Sequence, residues 1–378
     1  MKRILIRFYS VENLGDDLFI HTLAQYFSDC KIALLSSIKH QPRNLPANTR
    51  LHPLSYILAV IGMLEHLASG NPSCMRKLWN FAEHCRARAI QKNDAYVYLG
   101  GSLFMQSGQP HEEIDFSVGS RPVFDYVSHP QDKGKMFLIG ANLGPVYQDS
   151  YWNDIRKQFM DYRHVCLRDY SSYSMIRDLF HVQYAPDVIF LTPQPEPVDV
   201  GENVVISVVD IGARSKNHAV VTAYYELLRD TVEKFNARNI PVTLVSFCRF
   251  EGDEQAIDHL LEMVSDDTNV STCLYNNNIQ EILSLFSSAS YIVASRFHAV
   301  ILALSFGKPV FPISYNCKTK HYLEDVGFQG RYATLEELPD TTLEDVLHNY
   351  DNRIITDCTQ HKKYAKNQFR ALREYLDR

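Results

Sequence analysis

The stretch Ser295-Arg296-Phe297-His298-Ala299 follows an apolar run, Tyr291–Ala294, and opens a helical pattern, Ala299–Phe306, ended by Gly307 and Pro309. The spacing reads as a strand, a short turn and a helix stopped by glycine and then proline. At such a junction backbone N–H groups and the positive end of the helix dipole favour anions. Arg296 offers planar paired donors for phosphate or carboxylate, and His298 can exchange a proton near neutral pH. Ser314-Tyr315-Asn316-Cys317-Lys318 follows the next apolar run, Pro309–Ile313, so Lys318 is expected at the same face. Together these residues suit an anionic ligand and a proton transfer. A buried arginine beside a histidine bonded to a carbonyl would leave the same spacing.

Further candidates cluster near the amino terminus and mid-chain. In Asn13-Leu14-Gly15-Asp16-Asp17, after the first apolar run, Gly15 permits a tight turn and Asp16 or Asp17 can cap a helix. Gly100-Gly101-Ser102 would bring backbone close to a ligand, and Asn142-Leu143-Gly144-Pro145 adds an amide that both donates and accepts. Taken alone, the first is equally an ordinary helix cap, and each of the other two is more often a turn than a site. Arg168-Asp169 ends another run, with Asp169 a cap and Arg168 either its partner or an anion ligand. Asp187, in Ala185-Pro186-Asp187, reads as structural.

Positioning these residues requires strands alternating with helices. Strands are expected at Arg3–Phe8, Lys31–Leu35, Ala95–Leu99, Lys135–Ile139, Arg163–Leu167 and Val182–Tyr184. After three prolines between Thr192 and Pro197 the rhythm restarts at Asn203–Val209, Val242–Phe247, Tyr291–Ala294 and Pro309–Ile313. Runs apolar on both faces and separated by helices imply parallel sheets covered on both sides. The expected architecture is α/β with two Rossmann-like lobes: residues 1–191, a linker at 192–202, residues 203–355, and a tail helix over 356–378 packing toward the first lobe. In such sheets ligands bind outside the carboxyl ends of the strands, so the expected site is a cleft between the lobes.

A net charge of −6 argues against a general nucleic-acid binder. Eight scattered cysteines with no C-x-x-C pair, and no signal-like start, point to reduced thiols in a cytosolic protein with no metal site. Between Tyr56 and Leu67 lies an apolar segment, followed by Arg76, Lys77, Trp79, Phe81, Arg86, Arg88 and Lys92. Basic residues interleaved with aromatics suit an anionic bilayer, but a helix packed on its own sheet with a solvated basic face is the more ordinary reading.

This set of motifs resembles the polysaccharide pyruvyl transferase family over nearly the whole chain. The resemblance rests on Asn13-Leu14-Gly15-Asp16, Tyr98-Leu99-Gly100-Gly101, Ile139-Gly140-Ala141-Asn142, Arg168-Asp169, Ala185-Pro186-Asp187, Ser295 to Ala299, and Gly307-Lys308-Pro309 into Ser314-Tyr315. Ser102 stands where a third glycine is common, and Cys317 where proline is usual. The resemblance implies a GT-B-like fold, phosphoenolpyruvate as co-substrate with no cofactor, and a saccharide acceptor, free or lipid-linked. It places Arg168, Arg296, His298 and Lys318 around the donor, with His298 as general acid or base and Asp16 on the acceptor. Asn13, Gly15, Gly100, Gly101, Asn142, Phe297, Ser314 and Tyr315 complete the expected binding set. A nucleotide-sugar glycosyltransferase and a non-catalytic saccharide-binding module are the alternative readings.

Overall fold

The computed structural model describes residues 1–9, 11–36, 42–67, 72–105, 134–199 and 201–378. They form two compact units. The first comprises Met1–Val11, Phe19–Val188 and Ala365–Arg378, and the second comprises Glu12–Leu18 and Ile189–Tyr364.

The first unit is built on seven strands: β1 (Arg3–Phe8), β2 (Lys31–Leu35), β3 (Thr49–Leu51), β4 (Ala95–Phe104), β5 (Met136–Leu143), β6 (His164–Leu167) and β7 (Val182–Tyr184). They pair in parallel in the order β3-β2-β1-β4-β5-β6-β7. The central strands are buried along nearly their whole length, as a sheet covered on both faces demands. Helices α1 (Leu14–Tyr26), α2 (Leu54–Leu67), α3 (Pro72–Gln91), α4 (Asp149–Phe159) and α5 (Tyr170–Ile176) alternate with these strands. On one side of the sheet Leu5, Tyr96, Tyr98, Leu138, Ile155, Phe159 and Val165 form a continuous core.

The second unit repeats the arrangement with β8 (Val204–Ser207), β9 (Val242–Val245), β10 (Val270–Cys273), β11 (Tyr291–Ala294), β12 (Val310–Ser314) and β13 (Ala333–Thr334). Their order is β10-β9-β8-β11-β12-β13, again all parallel. Its helices are α6 (His218–Asn236), α7 (Asp253–Met263), α8 (Ile279–Ser288), α9 (Phe297–Ser305), α10 (Cys317–Asp325) and α11 (Leu343–Asp351). In each sheet the direction of winding reverses beside the central strand, between β1 and β4 and between β8 and β11. Such switch points open a crevice at the carboxyl ends of the strands.

The single tail helix expected from the sequence is two helices, α12 (Thr359–Ala365) and α13 (Asn367–Leu376), separated at Lys366. The second is the part that seals the first unit. Phe369 and Leu372 are fully buried, and the Phe369 ring packs edge-on against Phe27 at 5.7 Å. Gln368 of α13 accepts from Gly140 N at 3.0 Å and donates to Ala185 O at 2.7 Å, tying two strand ends together.

Candidate active site

The carboxyl ends of β8, β9, β10, β11 and β12 carry the candidate site residues of the second unit. The turn after β11 is fastened to β8 by Ser207, whose hydroxyl accepts from Ser295 N at 3.0 Å and Arg296 N at 3.1 Å. Ser295 Oγ in turn lies 3.0 Å from the Tyr224 hydroxyl. A backbone N–H that the sequence reading offered to a ligand is therefore spent on holding the switch point together.

Arg296 is the N-cap residue of α9 and is 5% exposed. Its Nε donates to Asp253 Oδ2 at 3.0 Å, its Nη2 bonds Asp253 Oδ1, and its Nη1 bonds Glu251. Asp253 is fully buried and also accepts from the backbone of Phe247 and Cys248, each at 2.9 Å. Arg214 bonds the same Glu251 and lies over the Tyr315 ring, 5.4 Å from its centroid. Burial works against the Arg296 charge, and the Asp253 carboxylate more than offsets it, so the guanidinium stays protonated. This corrects the expectation of an open arginine fork: two arginines and two carboxylates balance one another.

His298 and Lys318 are less buried than Arg296. His298 is half-buried at the start of α9. Lys318, also half-buried, stands in the first turn of α10, with Nζ 4.3 Å from the centroid of Phe297. The Phe297 ring meets His298 edge-on at 5.3 Å, so one aromatic residue supports both groups. Ser314 is buried and its hydroxyl donates to Asn316 O at 2.8 Å, which accounts for it structurally. Asn316 caps α10 through Thr319 N at 3.1 Å.

The segment Glu12–Leu18 belongs to this unit, not to the amino-terminal lobe in which the sequence reading placed it. Asn13 is the true cap, its Oδ1 accepting from Gly15 N at 2.9 Å, whereas Asp16 and Asp17 lie inside the first turns of α1. Gly15 is helical, not part of a separate tight turn, and its role is spatial. A Cβ there would lie 1.7 Å from His298 Nδ1. Asp16 is half-buried. Asp17 is buried and accepts from the Tyr275 hydroxyl. Burial pushes the Asp17 carboxyl up to about 7, although the Tyr275 hydrogen bond opposes the shift.

In the first unit several of the expected ligand positions are engaged by other side chains of the protein. Gly100 and Gly101 lie within β4, not in a loop after it. The Phe19 ring fills the space above Gly100 and Gly140, where added Cβ atoms would sit 2.7 and 2.5 Å from it. Arg168 is 1% exposed; its Nη1 pairs with Asp187 at 3.2 Å and its Nη2 with Asn142 Oδ1 at 2.6 Å. Ser102 donates to the same Asn142 oxygen at 3.0 Å. Asp169 caps α5 as expected, accepting from Ser172 N at 2.7 Å, so the partner of Arg168 is Asp187.

The structure thus groups Arg296, His298, Lys318, Tyr315, Asn13, Gly15 and Asp16 in one unit, and Arg168, Asn142, Gly100 and Gly101 in the other. Sequence spacing missed Glu251, Asp253, Arg214 and Tyr275, and read Asp17 only as a cap, because their partners lie far away along the chain. The proline-poor Glu251-Gly252-Asp253 turn just beyond a strand was the available signal.

A family model described as polysaccharide pyruvyl transferase matches residues 13–316. Among solved structures, UDP-GlcNAc 2-epimerase from Methanocaldococcus jannaschii superposes with a TM-score of 0.56 at 10% identity, covering 99% of this chain and 100% of that one. The Neisseria meningitidis enzyme of that name, bound to UDP-GlcNAc, gives 0.56 at 9% identity with both chains covered completely. Anabaena Alr3699/HepE in complex with UDP and glucose gives 0.52 at 10% identity, also with full coverage of both chains. At these identities the likeness is one of fold, the GT-B class with its paired parallel α/β units.

Proposed function

Because the chain belongs to the polysaccharide pyruvyl transferase family, we propose that it moves the pyruvyl unit of phosphoenolpyruvate onto two hydroxyls of a saccharide, forming a pyruvate ketal. The observation that carries this reading is the pairing of His298 with Lys318 across one aromatic ring at adjacent strand ends. Lys318 and the start of α9 meet the anionic donor, while the neutralised Arg296 cluster fixes the strand end that presents them. His298 delivers a proton to the methylene carbon, leaving C2 cationic and open to attack by the first hydroxyl. Attack by the second hydroxyl expels inorganic phosphate and closes the ketal. Of the two hydroxyl protons lost, one balances the new methyl group and the other leaves with phosphate. Asp16 takes the proton from the acceptor.

The test is the reaction in heavy water with phosphoenolpyruvate and a panel of hexosides. The ketal methyl should carry one solvent deuterium, and His298→Ala should abolish phosphate release. A product that keeps a vinyl group, or one that gains no pyruvyl mass, overturns the reading. A lipid-linked acceptor would lie at a bilayer. Support for such contact comes from the exposed Tyr56, Ile57 and Val60 of α2 and from Phe81 beside Arg76, Lys77 and Arg88 on α3, all exposed.

A further inference from the structure

We propose that Glu12–Leu18 is a positioning element for His298, in which Asn277 and Tyr275 grip Glu12 and Asp17 so that Gly15 forms a fixed backing for the imidazole. The proposal rests on the reading of His298 as the residue that moves protons.

Three anchors hold the segment to the second unit. Asn277 Nδ2 donates to Glu12 Oε1 at 2.8 Å, Leu14 N donates to Phe247 O at 3.0 Å, and the Tyr275 hydroxyl bonds the Asp17 carboxylate. The anchors lie before, beside and after Gly15, so the backbone there has little freedom to retreat. They come from the turns after β9 and β10, whereas His298 comes from the turn after β11. The segment therefore joins three strand ends that no local sequence pattern connects.

The imidazole occupies the volume that any side chain at position 15 would claim. An added Cβ would sit 1.7 Å from Nδ1, 2.4 Å from Cε1 and 2.6 Å from Cγ, separations no pair of atoms tolerates. Phe297 braces the ring edge-on from within its own helix. A ring confined by a backbone and by a neighbouring aromatic has few rotamers left. A proton donor confined in this way needs no reorganisation before reaction. Leu14 is fully buried, so the segment is also packed and not merely hydrogen-bonded.

Two readouts test the proposal, and one of them is independent of the reaction. In protein labelled with 15N-histidine, the His298 ring signals are identified by their loss in His298→Asn. Gly15→Ala should displace those signals, and Tyr275→Phe should displace them in a protein that stays folded by circular dichroism. Asp17→Ala should do the same, whereas Asp17→Asn, which still accepts from Tyr275, should restore the wild-type signal. In turnover, Gly15→Ala should lower kcat ~100-fold, the cost expected of a misplaced catalytic group, with KM for the donor little changed. Unmoved His298 signals in folded Gly15→Ala and Tyr275→Phe proteins would falsify the positioning role. Should the ketal fail to form at all, the ring signals still decide this question, and only the functional reading falls.

Discussion

At the scale of single residues, the two arginines that looked most like ligands are buried ion-pair members. Removing one partner of such a pair leaves an uncompensated charge and costs about 3–5 kcal/mol. Arg168→Ala, which removes the ion-pair partner of the fully buried Asp187, is therefore expected to lower thermal stability, and Arg296→Ala to do the same through Asp253. His298→Ala should melt close to wild type, since the ring is only half-buried. Unchanged melting of Arg168→Ala would show that this ion pair contributes little to stability. Asp17 supplies a second test. Burial raises its carboxyl from 3.8 to about 7, so the folded chain holds that proton more tightly than the unfolded one does. Its contribution to stability is intact below pH 3.8 and is lost as the pH rises to about 7. Asp17→Asn has no such proton to lose, so in denaturant titrations it should gain on wild type between those limits. A difference that stays flat with pH counts against the shift. The residue types of the site were legible because Arg, His and Lys recur where strands give way to helices. Their partners were not: Arg296 meets Asp253 across 43 positions and Tyr275 meets Asp17 across 258. Such pairings exist only once the sheet has formed.

At the scale of elements, legibility followed burial. β1, β2, β7 and β11 run where their apolar stretches predict, Arg3–Phe8, Lys31–Leu35, Val182–Tyr184 and Tyr291–Ala294. The strands missed were β3, β10 and β13. β3 and β13 are only 3 and 2 residues long, and Ser271 and Thr272 of β10 face solvent, so no apolar rhythm marks them. β4 outran its expected end because Gly100 and Gly101 adopt positive φ inside the strand, which lets it continue to Phe104. The pair α2 and α3 poses the opposite problem, apolar groups left facing outward. Tyr56, Val60 and Phe81 are 52, 54 and 54% exposed. An amphipathic surface with basic residues binds anionic lipid through apolar insertion and charge together. Wild-type protein should accordingly co-sediment with phosphatidylglycerol vesicles and not with phosphatidylcholine alone. Val60→Asp should weaken that binding, and Arg76→Glu with Lys77→Glu should abolish its dependence on anionic lipid. Binding indifferent to lipid charge would assign these residues to ordinary solvated surface.

At the scale of the whole molecule, the main division falls between Val188 and Ile189, just before the proline-rich segment, and the tail returns to the first unit as its sequence suggests, whereas nothing in the composition shows that Glu12–Leu18 belongs to the second. Each compact unit takes in a piece from the other side of that linker: Glu12–Leu18 joins the second and Ala365–Arg378 joins the first. The loans are large compared with the stability at stake. Phe369, Leu372 and Leu376 are each at most 2% exposed, and burying such side chains contributes about 1.5–3 kcal/mol apiece. Their sum rivals the ~5–15 kcal/mol by which a whole domain is stable. Gln368 adds hydrogen bonds to Gly140 and Ala185 that no other residue of α13 supplies to those atoms. A chain cut after Tyr364 should therefore lose the first unit's cooperative unfolding. A fragment beginning at Gly201 should fold poorly as well, since it lacks Leu14 and the Asp17 partner of Tyr275. Leaving Tyr275 without that partner, in a site where its hydroxyl is buried, carries the penalty of an unmade hydrogen bond. Calorimetry on the intact chain and on both fragments separates the possibilities. Coupled units predict one dominant transition for the intact chain and broad or missing transitions for the fragments. A chain cut after Tyr364 that unfolds as cooperatively as the parent, together with a sharp transition for the fragment beginning at Gly201, would instead mean that the exchanged pieces contribute little.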